Sequence, residues 1–568
     1  MAVGAAPTPA GGSAPAGGPT PAAAPIPVEG GLRRDIGKIG LLFAGVGSII
    51  GSGWLFSALT AAHTAGPAAI ISWAIATVMI LLIGLCFAEL GTMFPISGGV
   101  VRFPHLSFGS FASYTMGWIT WLAAVSVPPI EVEAALQYAT RYLPLTTKHI
   151  VGGEPAYTLT GLGGMFAIAG MAVFVVLNYI GVKYFAQINN VAVWWKLSMI
   201  VLVIVAFLVT VFHGENFRSY GFFSQGWGGV FTAIPTAGIV FSFLGFRQGV
   251  ELAGETKNPK VNVPFAVIGS VLLCGVIYIL LEVAFIGSVR PSDLLSSHGW
   301  KELTFAGDFG PLAAMATILG LGWLATLLYI DAVISPADTG FAYLAVTTRI
   351  SYAMGKNRNA PEVLTKTNKQ GIPWVGLVVT FVVGLIFFLP FPSWQSLVGF
   401  ITSATVLSFG SGPLVLAALR RQLPEHDRPF KLPGGDVIPF LAFYSANMVI
   451  YWAGWITNLK IGVCVAIGFL LWPIFHYGSK GRAPKLDWKA GASWVLPWLI
   501  GEGVISYLSA YGGVGLIGIG WGLLVNLIWS AVIYVIALSV RFPPHRVREQ
   551  VAETTAEAAE EERELERA

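Results

Sequence analysis

Runs of about 20 apolar residues suffice to cross a bilayer, and by that measure the hydrophobic pattern predicts fourteen spans. They fall near 39–62, 67–90, 113–140, 160–180, 187–212, 231–253, 264–288, 312–348, 373–391, 395–419, 437–457, 460–477, 493–510 and 514–540. The eighth is unusually long and contains Pro336, so a tilt or kink is expected there. Residues 1–32 form an Ala/Pro/Gly tract with no charge before Glu29 and no signal-peptide pattern, expected to be a disordered tail. The end of the chain, 542–568, is Glu-rich and polar, a solvated helix or tail.

Two spans have interior sequences that suit a helix poorly. The first contains Gly47-Ser48-Ile49-Ile50-Gly51-Ser52-Gly53. Three glycines and two serines in seven residues weaken a continuous helix. Such residues either let a neighbouring helix pack closely or mark a discontinuous helix whose free backbone groups hold a polar solute. The sixth span carries Pro235, Gly238 and then Phe241-Ser242-Phe243-Leu244-Gly245-Phe246-Arg247. Two interrupted spans, five apart, point to a pair of inverted five-helix repeats with a site between them. A half-helix starting at Ser52-Gly53 would offer N–H groups and a positive dipole end to a carboxylate. Carbonyls freed at Ile49, Phe241 and Leu244 would accept from an ammonium group. Together those contacts describe an α-amino acid.

Composition agrees with a polytopic membrane protein: 55% hydrophobic, 11% charged, mean hydropathy +0.71. Cys86, Cys274 and Cys464 all sit in apolar spans, without metal-site spacing or a disulfide context, and read as packing. The formal charge of +4 gives no case for nucleic acid, because the cations are gathered in short loops. With the N-terminus inside, one side collects Arg102, Lys183, Lys257, Lys260, Lys356, Arg358, Lys366, Lys369, Arg420, Arg421, Arg428, Lys431, Lys480, Arg482, Lys485 and Lys489. The other holds Arg141, Lys148, Arg218, Arg290, Lys301 and Lys460. The positive-inside rule then puts both termini in the cytoplasm.

Ionisable residues at bilayer depth are functional candidates by default. Arg247 is one, either paired with Glu251 a turn later or available to a second carboxylate on the substrate through its planar fork. Asp331 and Asp338, seven apart in the eighth span, share a helix face. Glu131 and Glu133 follow Pro128-Pro129 in the third span and face different ways, so at most one meets a cavity. Burial favours the protonated form of a carboxyl, which makes such acids candidates for proton coupling.

Several motifs together resemble the amino acid–polyamine–organocation permeases over roughly residues 35–420. They are Gly47 to Gly53; Glu89-Leu90 with Pro95-Ile96-Ser97-Gly98-Gly99; Gly245-Phe246 with Glu255 and Lys257-Asn258-Pro259; and Arg349-Ile350-Ser351-Tyr352-Ala353-Met354. The resemblance implies a LeuT-like five-plus-five core of ten helices over 33–420, with four additional helices over 421–541. By position it puts substrate contacts on Ile49, Ser52, Gly53, Phe241, Leu244 and Gly245. Lys196 matches a family lysine whose ammonium replaces a sodium ion between the first, fifth and eighth helices, with Asp338 expected beside it as a permanent or a coupling partner. Many relatives carry an acid where this chain has Arg247. Gly51-Ser52-Gly53-Trp54-Leu55-Phe56 and Gly98-Gly99-Val100-Val101-Arg102-Phe103-Pro104 are similar to the aspartate–proton symporter branch.

No phosphate loop, metal-spaced His/Cys pairs or nucleophile–base constellation is visible, and His63, His105 and His213 read as structural. The expectation is an all-α polytopic protein of the plasma membrane. Its expected work is proton-coupled transport of an amino acid, aspartate or glutamate first, with no cofactor and no enzymatic activity. The alternatives are an exchanger of neutral or cationic substrates and a transporter-like sensor.

Overall fold

A computed structural model describes residues 36–96, 99–151, 154–180, 185–356, 358–368, 371–389, 393–478 and 486–553. The tail 1–32, the residues after 553, Ser97, Gly98, Lys183, Lys369, Lys480, Arg482 and Lys485 lie outside the described residues. The chain forms α1 (Lys38–Ile49), α2 (Gly53–Ala65), α3 (Ala69–Met93), α4 (Gly99–Phe108), α5 (Ser110–Val125), α6 (Val127–Ala139), β1 (Thr146–Val151), β2 (Glu154–Leu159), α7 (Gly161–Ile180) and α8 (Phe185–Thr210). There follow α9 (Gly226–Thr236), a 3-10 turn (Phe241–Arg247), α10 (Gln248–Glu251), α11 (Pro259–Ser288), α12 (Pro291–Ser296), α13 (Pro311–Ile318), α14 (Gly322–Lys356) and α15 (Trp374–Phe387). The last five are α16 (Trp394–Gln422), α17 (Val437–Trp452), α18 (Trp455–Gly478), α19 (Val495–Leu508) and α20 (Ile519–Val540).

This is an all-α membrane protein. Each of the fourteen apolar runs overlaps a helix or helix pair. Among the described residues, eight helical stretches are long and apolar enough to cross a membrane, nine if the bent pair Gly226–Thr236 and Phe241–Glu251 is one span; four shorter apolar helices accompany them. The two strands pair antiparallel, Thr146 opposite Leu159, as a hairpin between α6 and α7 that the apolar pattern did not reveal. The long eighth run is interrupted. It divides at Leu319–Leu321, where Gly320 takes φ +78, whereas Pro336 lies inside the 35-residue α14.

Small residues bring the central helices together. A Cβ on Gly275 of α11 would lie 2.6 Å from the Thr77 side chain of α3, and one on Gly45 of α1 would lie 3.2 Å from Ser270 of α11. Glu89 of α3 is wholly buried, yet its carboxylate is fully engaged. Arg420 of α16 donates to it at 2.9 and 2.5 Å, and the Leu432 N–H at 2.8 Å. That cluster ties the loop after α16 to α3. Within α17–α20, Trp498 donates to Asn447 Oδ1 at 2.9 Å, and Asn447 donates to Ser530 Oγ at 2.8 Å.

Candidate functional site

The first span breaks where the glycines and serines stand. α1 stops at Ile49, Ile50 takes φ −85 and ψ 81, and α2 starts at Gly53. Polar backbone left unpaired in hydrocarbon costs several kcal/mol per group, so the partners of the freed groups identify what is built around the break. The Gly47 carbonyl accepts from Lys196 Nζ at 3.0 Å. The Ile49 carbonyl accepts from the Gly51 N–H at 3.1 Å and from Tyr278 Oη at 3.3 Å. Thr339 Oγ1 donates to the Ile50 carbonyl at 3.5 Å. The Ser52 N–H donates to Glu131 Oε2 at 2.9 Å. Gly53 and Trp54 follow at the head of α2.

The sixth span is broken as well. α9 ends at Thr236, Gly238 adopts φ +83, and the chain resumes as the 3-10 turn Phe241–Arg247, bent by 46° from α9. The two breaks meet backbone to backbone. A Cβ on Gly245 would lie 2.2 Å from the Ser48 carbonyl carbon and 2.3 Å from the Ile49 nitrogen, so no side chain fits there. Gly53, from the first span, meets the sixth in turn, its would-be Cβ 2.2 Å from Ser242 Oγ. Between the breaks lies a small cavity lined by Ser48, Ile49, Gly51, Val127, Glu131, Phe241, Leu244, Thr339 and Tyr343.

Trp394 of α16 covers this region on the α2 side. Its Nε1 donates to Ser52 Oγ at 2.9 Å, and its ring centroid lies 4.9 Å from Phe56 and 6.1 Å from Phe241. On the other side, the Tyr343 ring carries the Arg247 guanidinium 5.3 Å from its centroid. Arg247 is 1% exposed, and its Nε and Nη2 have no hydrogen-bond partner among the described residues. Glu251 is buried too, but no ion pair within 4 Å joins it to Arg247, and its Oε1 is likewise unpartnered. Tyr343 therefore stands between the cavity and the cation.

The remaining candidates separate into two groups. Lys196 of α8 is wholly buried and meets Asp338 of α14 at 2.7 Å and Thr339 Oγ1 at 3.2 Å, together with Gly47 of α1. Glu131 faces this cluster, since a Cβ on Gly51 would lie 2.8 Å from its Oε1 and 3.0 Å from Thr339. Asp331 stands apart from Lys196, accepting from Trp195 Nε1 at 2.8 Å and Ser335 Oγ at 2.7 Å. Glu133 is buried away from the cavity with both carboxylate oxygens unpartnered among the described residues. Tyr278, Thr339, Tyr343 and Trp394 were not singled out from the sequence, where an aromatic or threonine in an apolar span carries no signal of its own. His63 binds the Leu303 carbonyl at 2.7 Å, a structural tie. Glu255 and Arg349, from two of the motifs, approach to 3.7 Å.

Two interrupted helices meeting at a small cavity that Ser48, Glu131 and Thr339 help to line, inside a bundle of apolar spans, have the architecture of a membrane carrier for a small polar solute. The chain belongs to the amino acid permease family, within the amino acid–polyamine–organocation superfamily: the family profile matches residues 36–478. Among its relatives, the glutamate/serine transporter AimA of Bacillus subtilis (strain 168) is 40% identical over 511 residues, 89% of this chain and 94% of that protein. The aspartate-proton symporter of the same organism is 34% identical over 510 residues, 89% and 96% of the two chains. A branched-chain amino acid permease, BcaP, also from that organism, is 28% identical over 467 residues, 80% and 94%.

Proposed function

We propose that the protein is a secondary active, proton-coupled symporter of acidic amino acids in the plasma membrane, with both termini cytoplasmic. On this reading the fourteen helical runs are fourteen crossings. Residues 33–420 form a five-plus-five inverted-repeat core, and 421–541 add four helices. The observation that carries the proposal is the Glu131 carboxylate on the Ser52 N–H at the head of α2. A carboxylate of the protein holds the position that a substrate α-carboxylate would take, where N–H groups and helix dipole favour an anion. A protonated Glu131 accepts more weakly from that N–H, so proton uptake frees the position for substrate and links the two ligands. The substrate ammonium then replaces Tyr278 and the local N–H groups on the carbonyls of Ile49, Phe241 and Leu244. Lys196, bridging Gly47 and Asp338, supplies the positive charge that a sodium ion would supply.

Arg247 is the candidate reader of a side-chain carboxylate, reached when Tyr343 turns aside. A charge-assisted bond of about 1.5–3 kcal/mol corresponds to roughly ten- to hundred-fold in affinity, and an unpaired guanidinium penalises neutral substrates. A second reading, a neutral substrate of serine size, is favoured by the Tyr343 ring standing between Arg247 and the cavity. One relative's name, glutamate/serine transporter, spans both readings.

The test is uptake of labelled aspartate, glutamate and serine into proteoliposomes, with and without an inward proton gradient and without sodium. Gradient-driven glutamate or aspartate uptake that serine and leucine compete poorly supports the acidic symporter. Under that reading, R247Q lowers acidic uptake and relaxes the preference towards asparagine-sized substrates. Strict sodium dependence would overturn the coupling. Better competition by leucine or arginine than by glutamate would overturn the substrate class.

A further inference from the structure

The two breaks share one aromatic cluster. Tyr278 of α11, whose Oη donates to the Ile49 carbonyl of the first break at 3.3 Å, lies 5.6 Å ring to ring from Phe243 of the second. Phe243 stands between Ser242, which meets Gly53, and Leu244, which lines the cavity. Trp73 of α3 completes the cluster, its ring centroid 4.9 Å from Tyr278 and 5.9 Å from Phe243. All three side chains are buried.

One acid outside the cavity holds this cluster. Glu282 of α11 is wholly buried, and its Oε2 accepts from Trp73 Nε1 at 3.0 Å, joining α11 to α3 across 209 residues of sequence. It follows Tyr278 by four residues and so shares its helix face. An acid at bilayer depth is costly to keep, and its Oε1 has no partner among the described residues, so the indole is what the side chain serves. Ring stacking alone leaves an indole free to slide and turn in its own plane, and a bond to its buried nitrogen removes that freedom. Glu282 therefore sets where the Trp73 ring lies, and the Trp73 ring sets where Tyr278 points.

We propose that Glu282 is a positioning residue for the ammonium side of the site: through Trp73 it holds the Tyr278 hydroxyl on the Ile49 carbonyl. The inference rests on the transport reading, in which a substrate ammonium takes that carbonyl over. Binding then breaks the Tyr278 bond, and release restores it. The hydroxyl is a placeholder that weakens substrate affinity and speeds release. A loosened Trp73 ring lets Tyr278 turn away, so the substrate binds more tightly and leaves more slowly. KM and maximal rate should therefore fall together, by roughly two- to tenfold, the worth of one neutral hydrogen bond. A defect of folding or packing lowers the maximal rate without lowering KM.

The test uses the full chain, in lipid nanodiscs for stability and in proteoliposomes for uptake. Melting temperatures without substrate are compared for E282L, Y278F and the double variant. The double variant should lose clearly less than the two single losses added, and this coupling should disappear in a W73F background. Additive losses, or coupling that survives W73F, would overturn the inference whatever the protein carries. Initial rates of labelled amino acid uptake give the second readout. E282L, W73F and Y278F should each show the paired fall in KM and maximal rate, and E282Q, which keeps an acceptor oxygen, should restore most of the wild-type KM. W73F leaves Glu282 and Tyr278 in the chain and decides the matter even if E282L folds poorly. An unchanged or raised KM in both W73F and Y278F would overturn the proposal. A wild type that takes up no amino acid would instead overturn the transport reading, with the melting comparison still testing the relay from Glu282 to Tyr278.

Discussion

Glu131 Oε2 accepts the backbone N–H of Ser52 at 2.9 Å, joining α6 to the break in the first span across 79 residues of sequence. Glu133, two residues on, faces elsewhere with both oxygens unpartnered. The pair should therefore separate functionally. E131Q is expected to flatten the pH dependence of uptake, while E133Q keeps it. E131A, which removes the proton acceptor and leaves the Ser52 N–H open to a substrate carboxylate, should abolish the stimulation of uptake by an inward proton gradient. Initial rates in proteoliposomes from pH 5 to 8 measure both, and equal effects of E131Q and E133Q would count against the assignment.

Lys196 and Asp338, 2.7 Å apart and largely buried, form the second test. Breaking such a pair from one side leaves an uncompensated charge and typically costs about 3–5 kcal/mol. K196M and D338N should each lower the melting temperature of the purified protein, and the double substitution should recover much of it. If the pair serves coupling, uptake stays low in the stable double variant. Recovery of uptake along with stability would make the pair structural only.

Gly53 lies against Ser242, where a Cβ would come 2.2 Å from Oγ and 3.1 Å from Cβ. G53A should reduce uptake per folded molecule, because Ser242 and the turn it belongs to must give way. Removing the opposing side chain makes room, so S242G in the G53A background should restore part of the loss. No rescue would mean that Gly53 is needed for a reason other than this contact.

His105, on α4 between the spans, offers a pH dependence outside the membrane. Burial and the nearby Arg102 charge hold its pKa below the ordinary 6.5, with Asp487 opposing and Arg546 reinforcing the effect. The unfolded chain then binds more protons than the folded one as pH drops below about 6.5, so stability falls with falling pH in that window. H105Q should flatten this acid limb of a melting-temperature profile between pH 7 and 5. An unchanged slope would exclude His105 as its source.

The sequence made the breaks in the first and sixth spans legible, because Gly, Ser and Pro act locally on helix stability. Lys196 beside Asp338 was reachable only through the resemblance to relatives. The position of Arg247 was not reachable: whether it meets Glu251, a substrate or Tyr343 depends on a side-chain choice between helices distant in sequence. The partners of the freed carbonyls escaped for the same reason, since Tyr278 and Thr339 look like ordinary span residues. The hairpin Thr146–Leu159 was missed because an apolar-run reading does not see short extramembrane strands, and the break at Gly320 was hidden within a continuous apolar run.

The backbone contact of Gly245 with Ser48 and Ile49 sets a gauge. With no side chain between them to compress or rotate, the spacing of the two interruptions is set by direct backbone contact. On the transport reading, the head of α2 grips a substrate's carboxylate and the Phe241–Leu244 turn grips its ammonium. The distance between those grips is then fixed by peptide geometry, like the jaws of a locked caliper. A β-amino acid, its charged ends one methylene further apart, would not fit between them, whatever its side chain.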